Sequence, residues 1–328
     1  MRKIKIAQIG TSETAHAAHI MNAMLNMPDT FEVLGVADVD YHSGPLDPVF
    51  SRVPHMSVEE LLSLPLDAVN IDCDEELQTY YGMMAAERGF HLSFDKPGSQ
   101  PDSEFDALVD KVKEKNLVFH VNYMYRYNPA VMYAMDKIAR GEIGDIVSIE
   151  AQMNVWHDNY IRGRHARFSG GVMYYLGCHM TDIIYRILGE PLDVTTFNSN
   201  TGFGGVDSCD FGMAVLRYPL GSSIAKVNAT EVGGAPLRRS LIFCGSKGTL
   251  EIRPIERPVA NGFDVSEIYE TYLGDGNIRH TTFAPYGRYT KMLSEFAAMV
   301  RGEKENPYTY EYERKLHKLI LRTCDYKF

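Results

Sequence analysis

Residues 169–189, S-G-G-V-M-Y-Y-L-G-C-H-M-T-D-I-I-Y-R-I-L-G, set a phenol, an imidazole, a carboxylate and a guanidinium at helical intervals. Met180, Ile183, Ile184, Ile187 and Leu188 follow the i, i+3, i+4, i+7, i+8 spacing of one apolar face, which predicts a single amphipathic helix over the segment. Tyr175, His179, Asp182 and Arg186 share the opposite stripe. Facing a pocket, such a stripe can relay or accept protons. Facing water, it is a solvated surface with an i, i+4 ion pair between Asp182 and Arg186.

Two more segments carry matching chemistry. Phe94–Gly98 reads F-D-K-P-G, where a nicotinamide enzyme would need it: Lys96 can supply positive charge and His179 can accept a proton at neutral pH. A nearby ammonium also favours a phenolate, so Tyr175 is expected to share the acid/base role with His179, assisted by Lys96; the competing reading is a tyrosine that binds substrate or packs. The other segment, Gly10-Thr-Ser-Glu-Thr-Ala15, turns a first strand into its helix, where backbone N–H groups hold a pyrophosphate. Gly10 fits, Thr11 follows, Ser12 replaces the second glycine, and Ala15 serves as the third. Asp38, at the end of the second strand, is placed to accept from an adenine-ribose hydroxyl, and its charge favours NAD over NADP.

The elements that position these groups alternate through the first third of the chain. Lys3–Ile9 reads as a strand, Thr14–Leu25 as a helix and Phe31–Asp38 as a strand. Ser57-Val-Glu-Glu60 is a capping box opening a short helix through Leu64, and Ala68–Asp72 is a strand. Helix Glu75–Arg88, strand His91–Phe94, helix Ser103–Lys115 and strand Val118–Val121 complete a βαβ series, hence a doubly wound parallel sheet.

Beyond about Asn122 the pattern changes. Helix Pro129–Arg140 and strand Ile146–Asn154 precede the 169–189 helix, and strands at Asp210–Tyr218, Ser222–Thr230, Arg239–Cys244 and Thr249–Arg253 predict a large, mostly antiparallel sheet. Helices Tyr289–Arg301 and Tyr310–Tyr326 close the chain. The expected domains are residues 1–121 and 122–328. The charged segment His157–Arg167 reads as a loop beside the catalytic helix. There Arg164 and Arg167 suit a substrate carboxylate or phosphate, while Trp156 and Tyr123 offer stacking faces to a sugar ring.

With 328 residues, 45% apolar and 23% charged, the chain is an ordinary globular protein of two-domain length. A net charge of −10 without a Lys/Arg run argues against a nucleic-acid or anionic-membrane surface. Five scattered cysteines without a C-x-x-C pair suggest reduced thiols in a cytoplasm, and no apolar run reaches membrane-spanning length. The spacing of His157, His165, His179 and Asp182 matches no recognised ligand pattern, so no metal is expected.

These residues carry a family resemblance. The Gly10 turn, Asp38, Asp95-Lys-Pro97, Arg126-Tyr-Asn-Pro129, Gly141-Glu-Ile-Gly144, the helix with Gly170, Gly171, Gly177, His179 and Asp182, and Gly245-Ser-Lys-Gly-Thr249 occur in the order found in the Gfo/Idh/MocA oxidoreductases. The chain resembles that family over nearly its whole length. The resemblance implies an N-terminal Rossmann domain, a C-terminal α/β domain whose open sheet often serves oligomerisation, and NAD(P)-dependent chemistry at a hydroxyl carbon of a sugar, inositol or polyol. By position, Lys96 matches the family's E-K-P lysine, with Asp95 in place of glutamate, and His179 matches its active-site histidine. Tyr175 stands where many members have aspartate. Where the family shows Thr-Pro and then histidine, this chain has Cys73, Asp74 and Gln78, expected beside the cofactor with Asp95 and Lys96. Arg126 and Asp182 join the expected substrate residues, and a homodimer or homotetramer is expected. The carboxylates of Asp72, Asp74, Glu75 and Glu76 oppose a pyrophosphate unless they cap the following helix. They motivate the alternative of a non-redox sugar-binding or regulatory protein.

Overall fold

Short, largely buried strands alternate with helices in the first part of the computed structural model, which describes residues 2–14, 16–231 and 239–328. The strands β1 (Ile4–Ile9), β2 (Phe31–Ala37), β3 (Ala68–Ile71), β4 (His91–Phe94) and β5 (Phe119–Val121) form one parallel sheet in the order β2-β1-β3-β4-β5. All four residues of β3 are buried, as strands covered on both faces require. Between them run α1 (Ala17–Leu25), α2 (Val58–Leu61), α3 (Gln78–Glu87) and α4 (Asp102–Glu114). The capping box at the start of α2 forms as its sequence predicts, with Ser57 and Glu60 serving each other's backbone N–H. Helix α4 carries Asp102 and Glu104 in its first turn and Lys111 and Lys113 in its last, which complements its dipole, and buries Phe105, Leu108, Val109 and Val112.

Two helices start later than their periodicity suggests. The N–H groups of the β1–α1 turn are taken by side chains: Thr11 N donates to Asp40 and His16 N to Asp72, so α1 begins at Ala17. Residues 74–77 make a turn closed by Leu77 N donating to Asp74 O, and α3 begins at Gln78.

The chain divides into two compact units, residues 1–123 with 289–317 and residues 124–288 with 318–328. The expected boundary at 121/122 assigned everything after it to one domain. The structure instead returns α8 (Thr290–Val300) and most of α9 (Tyr310–Thr323) to the first unit. There Asn306 Nδ2 donates to Phe119 O, Tyr310 OH donates to Leu117 O, and His317 stacks on Phe105 at 4.1 Å.

In the second unit, α5 (Pro129–Ala139) starts with proline at its first position and Asn128 accepting from Ala130 N and Val131 N. An eight-stranded sheet follows in the order β15-β14-β11-β10-β6-β9-β8-β7. Its members are β6 (Ile146–Met153), β7 (Asp193–Thr196), β8 (Phe211–Arg217), β9 (Ser222–Asn228), β10 (Arg239–Gly245), β11 (Gly248–Ile252), β14 (Glu267–Tyr272) and β15 (Asp275–Thr282). All pairings are antiparallel except β6 with β9. A separate two-stranded ribbon joins β12 (Arg257–Pro258) to β13 (Asp264–Val265).

Two expectations change here. The 157–167 segment contains a helix, α6 (Asn159–His165), because Asp158 accepts from Ile161 N and caps it. The single helix expected over 169–189 resolves into a π turn, Met173–Gly177, and then α7 (Cys178–Leu188). Gly170 and Gly171 precede them with φ of +77 and +48, and a Cβ on Gly171 would sit 2.2 Å from Cys209 O, so a helix cannot start at Ser169. Helix α7 packs on β6 and β9 and is buried from Cys178 through Tyr185. That burial overturns the solvated-stripe reading.

Candidate active site

The parallel sheet changes direction of growth between β1 and β3, and the loops leaving those strands flank the crevice where such sheets take ligands. Gly10 has φ of +107, and a Cβ there would lie 2.4 Å from both Asp72 O and Cys73 N. Only glycine allows this approach of the turn to the end of β3. Thr11 then uses both its donors, Oγ1 to Asp38 Oδ1 and N to Asp40 Oδ2, each at 2.6 Å. The other oxygen of Asp40 accepts from Asp74 N at 2.6 Å. One carboxylate therefore spans two backbone amides, one from each loop of the crevice. Ser12 Oγ donates to Asp74 Oδ1 at 2.7 Å.

Charge is unevenly distributed over these acids. Burial works against the charge of Asp38, but hydrogen bonds from Thr11, His42 and Asp40 N hold its carboxyl below the usual range, so it is ionised at neutral pH. Burial pushes Asp40 up to about 6 against the pull of its two amides, with the charges of Asp74 and Asp38 adding to the rise. Glu75 is pushed up to about 7 by burial, partly offset by Lys96. Asp72 and Asp95 behave as a pair. Burial, then the charge of Asp95, lifts Asp72 well above the usual range. Burial also opposes charge on Asp95, yet Lys96, 4.0 Å away, and His16, 3.2 Å away, hold it below that range. The buried Lys96 ammonium thus lies beside an ionised carboxylate.

Cys73 is fully buried, and burial followed by its neighbouring carboxylates pushes its thiol up. Its expected contribution beside the cofactor reduces to backbone, where Cys73 O accepts from Gln78 Nε2 at 3.3 Å. Asp74 and Gln78 are also buried. Ala15 lies outside the described residues. Tyr123 is buried at the end of the first unit, which closes the stacking face expected of it.

In the second unit, the π turn and α7 set Tyr175 and His179 among other rings. Tyr175 lies 4.6 Å from the His165 ring and meets His157 edge-on at 6.2 Å. His179, 1% exposed, tilts against Tyr125 at 5.4 Å. The Tyr125 hydroxyl donates to Glu256 Oε1 at 2.9 Å, and burial pushes its pKa far above a phenol's ordinary value. A π turn is a common device for aiming side chains at functional positions.

Asp182 pairs with Arg126. Its carboxylate receives Nε and Nη2 of Arg126 at 2.7–3.1 Å, with both side chains closed to solvent. The expected substrate contacts Arg126 and Asp182 are therefore directed at each other. Of the remaining expected contacts, Arg164 is buried, Arg167 is exposed and Trp156 is half-exposed. Sequence reasoning missed Asp40, Tyr125 and Arg162, and weighed His165 only as a metal ligand. Arg162 is buried on Asp210 Oδ2 at 2.8 Å, with Asn159 Oδ1 at 2.6 Å. Asp158 as a helix cap was the available signal for α6, which carries Arg162 and His165. Among the described residues no group of three or more His, Cys, Asp or Glu is arranged to hold a metal ion, and no helix is long and apolar enough to cross a membrane.

A nicotinamide dinucleotide brings hydroxyl and carboxamide donors together with anionic phosphates. The first set suits this edge, where Asp72 Oδ2, Glu75 Oε1 and Gln78 Oε1 are buried without a protein donor and Asp38 is ionised. The amides of Thr11 and Asp74 are donors of the kind a phosphate takes, and in this structure the Asp40 carboxylate holds both.

A family model described as the GFO/IDH/MocA C-terminal domain matches residues 131–251. D-xylose 1-dehydrogenase (NADP(+)) 2 of Haloferax volcanii is 27% identical over 263 residues, 79% of this chain and 76% of that protein. The 2,7-anhydro-N-acetylneuraminate hydratase of Escherichia coli is 28% identical over 209 residues, 60% of this chain and 54% of the hydratase. The fold is shared with a 3-ketoreductase from Actinomadura kijaniata solved with NADP and TDP-benzene, at a TM-score of 0.79 and 19% identity, covering 97% of this chain and 96% of that one.

Proposed function

From the membership of this chain in the Gfo/Idh/MocA family of oxidoreductases, we infer that it moves a hydride between NAD and a hydroxyl carbon of a sugar, inositol or related polyol. The observation that carries this reading is the Gly10–Thr11 turn at the β1/β3 crevice joined to an ionised Asp38 at the end of β2. An ionised carboxylate accepts from ribose hydroxyls and repels a 2′-phosphate, which selects NAD over NADP. When bound, the nicotinamide supplies the hydride acceptor for alcohol oxidation.

The chain's own residues supply the rest. Lys96, 4.0 Å from the ionised Asp95, is the cation for a developing alkoxide. His179 is the general base, and Tyr175 shares the acid/base role or holds substrate. Trp156, Arg164 and Arg167 are the candidate substrate contacts. Arg126 and Asp182 act as positioning residues, tying the segment after Tyr123 to α7. The eight-stranded sheet, with β15 as an exposed edge, supports a homodimer or homotetramer, and five free cysteines support a reducing, cytoplasmic setting.

Calorimetric titration with NAD and NADP tests the cofactor assignment. NAD is expected to bind more tightly than NADP, and Asp38→Ala to erase most of that difference. Equal affinities in the unaltered protein would overturn the preference. The hydratase likeness favours a second reading, in which bound NAD serves a net non-redox reaction. Firm NAD binding without net NADH formation on any converted sugar would select it.

A further inference from the structure

Asp40 holds the two amides that a phosphate at the β1/β3 crevice would take, Thr11 N and Asp74 N, both at 2.6 Å. It does not lie there by chance of a free loop. The segment 38–43 is fastened over the glycine turn along its length. Thr11 Oγ1 meets Asp38 at 2.6 Å and His42 Nε2 at 3.1 Å, while Ser43 N and Oγ donate to the Glu13 carboxylate at 3.1 and 3.0 Å. A carboxylate on two converging N–H groups reproduces the contacts of one anionic phosphate oxygen pair. A dinucleotide phosphate and the Asp40 carboxylate cannot share those donors, and their like charges repel.

We propose that residues 38–43 form a strap whose Asp40 carboxylate plugs the phosphate position of the dinucleotide site and must withdraw before a dinucleotide binds. The proposal rests on the dinucleotide reading above and adds a built-in competitor to it. Withdrawal breaks the bonds to Thr11 and Asp74 but leaves Asp38 able to meet a ribose, so one loop both excludes the phosphate and recognises the sugar. The plug also responds to protons. Asp40 titrates near 6, and a neutral Asp40 neither repels a phosphate nor holds the amides as strongly as a carboxylate. The groups that face it are Asp38 on its own loop, whose carboxylate His42 also contacts, Asp72, Cys73 and Asp74 after β3, and Tyr81 on α3. Asp38 stays ionised across this range. Glu75, near 7, titrates alongside Asp40, so the comparison of variants isolates the Asp40 contribution.

Calorimetry on the full chain decides the matter, with NAD and inorganic pyrophosphate as probes at pH 5.5 and 7.5, for the unaltered protein, Asp40→Asn and Asp40→Ser. Both variants are expected to bind NAD about tenfold more tightly at pH 7.5, the scale of one removed like-charge contact. The unaltered protein is expected to gain about as much between pH 7.5 and 5.5, with that gain largely lost in the variants. Should one variant fail to fold, the other carries the comparison. Equal NAD affinity in all three proteins, or affinity flat with pH in the unaltered one, overturns the strap and leaves the dinucleotide reading standing. Absence of NAD binding by all three at both pH values overturns both.

Discussion

Asp182→Ala should destabilise the second unit severely, because it removes the carboxylate that faces the Arg126 guanidinium in a site closed to water. Three N–H···O contacts of 2.7–3.1 Å join the pair, and the two side chains are 0% and 1% exposed. Exposed ion pairs are worth less than about 1 kcal/mol, but removing one member of a buried pair leaves an uncompensated charge and costs about 3–5 kcal/mol. In a unit of this size each kcal/mol moves the melting midpoint by about 2–4 °C, which gives a fall of about 6–20 °C. Scanning calorimetry reads this unit by unit where the transitions separate. The double variant Arg126→Met/Asp182→Leu, which removes both charges and keeps volume, should recover most of the loss. An Asp182→Ala protein that melts within about 2 °C of the unaltered one, yet loses sugar affinity, would refute the structural role and return both residues to the substrate site.

Three further outcomes follow from the same geometry. Asp40 and Glu75 titrate near 6 and near 7 in the folded chain against ordinary values of 3.8 and 4.5, so the folded chain binds more protons than the unfolded one in that interval and stability should rise as pH falls from 8 to 5.5. Denaturant midpoints measure this, and a midpoint that falls over that range contradicts the assignment; Asp38 and Asp95, held low, lose their contributions only below it. Gly10→Ala, whose Cβ would meet backbone atoms at 2.4 Å with φ at +107, should cost about 2–6 kcal/mol of strain and overlap in the first unit, and a neutral effect on its unfolding midpoint would contradict the close approach. His179→Gln should lower turnover by about 10²–10⁴ while leaving NAD affinity unchanged, whereas a parallel loss of NAD affinity would point to a structural histidine.

Much of the scaffold was legible because its signals are local. The βαβ alternation, the capping box at Ser57–Glu60 and the Asn128-Pro129 start of α5 each state their structure within a few residues. The return of Tyr289–His317 to the first unit was not legible, since an amphipathic helix records that it has a buried face and not which core buries it. The 169–189 segment shows the same limit. Its apolar spacing marks the helix, but the π turn and the positive φ angles at Gly170 and Gly171 depend on Cys209 and Cys324, distant in sequence. Candidate site residues divide likewise. Gly10 and Asp38 declare themselves through a local turn and a strand end. The partner of Asp182 lies 56 residues away at Arg126, and the hold of Asp40 on Thr11 and Asp74 spans three loops, so no spacing rule exposes either.

The most direct test mixes the protein with NAD and a panel of sugars, inositols and sugar acids and follows nicotinamide absorbance. The account predicts NADH formation with at least one polyol-bearing substrate, lost in His179→Gln. No NADH with any of them, from a protein that calorimetry shows to bind neither NAD nor NADP, would contradict it.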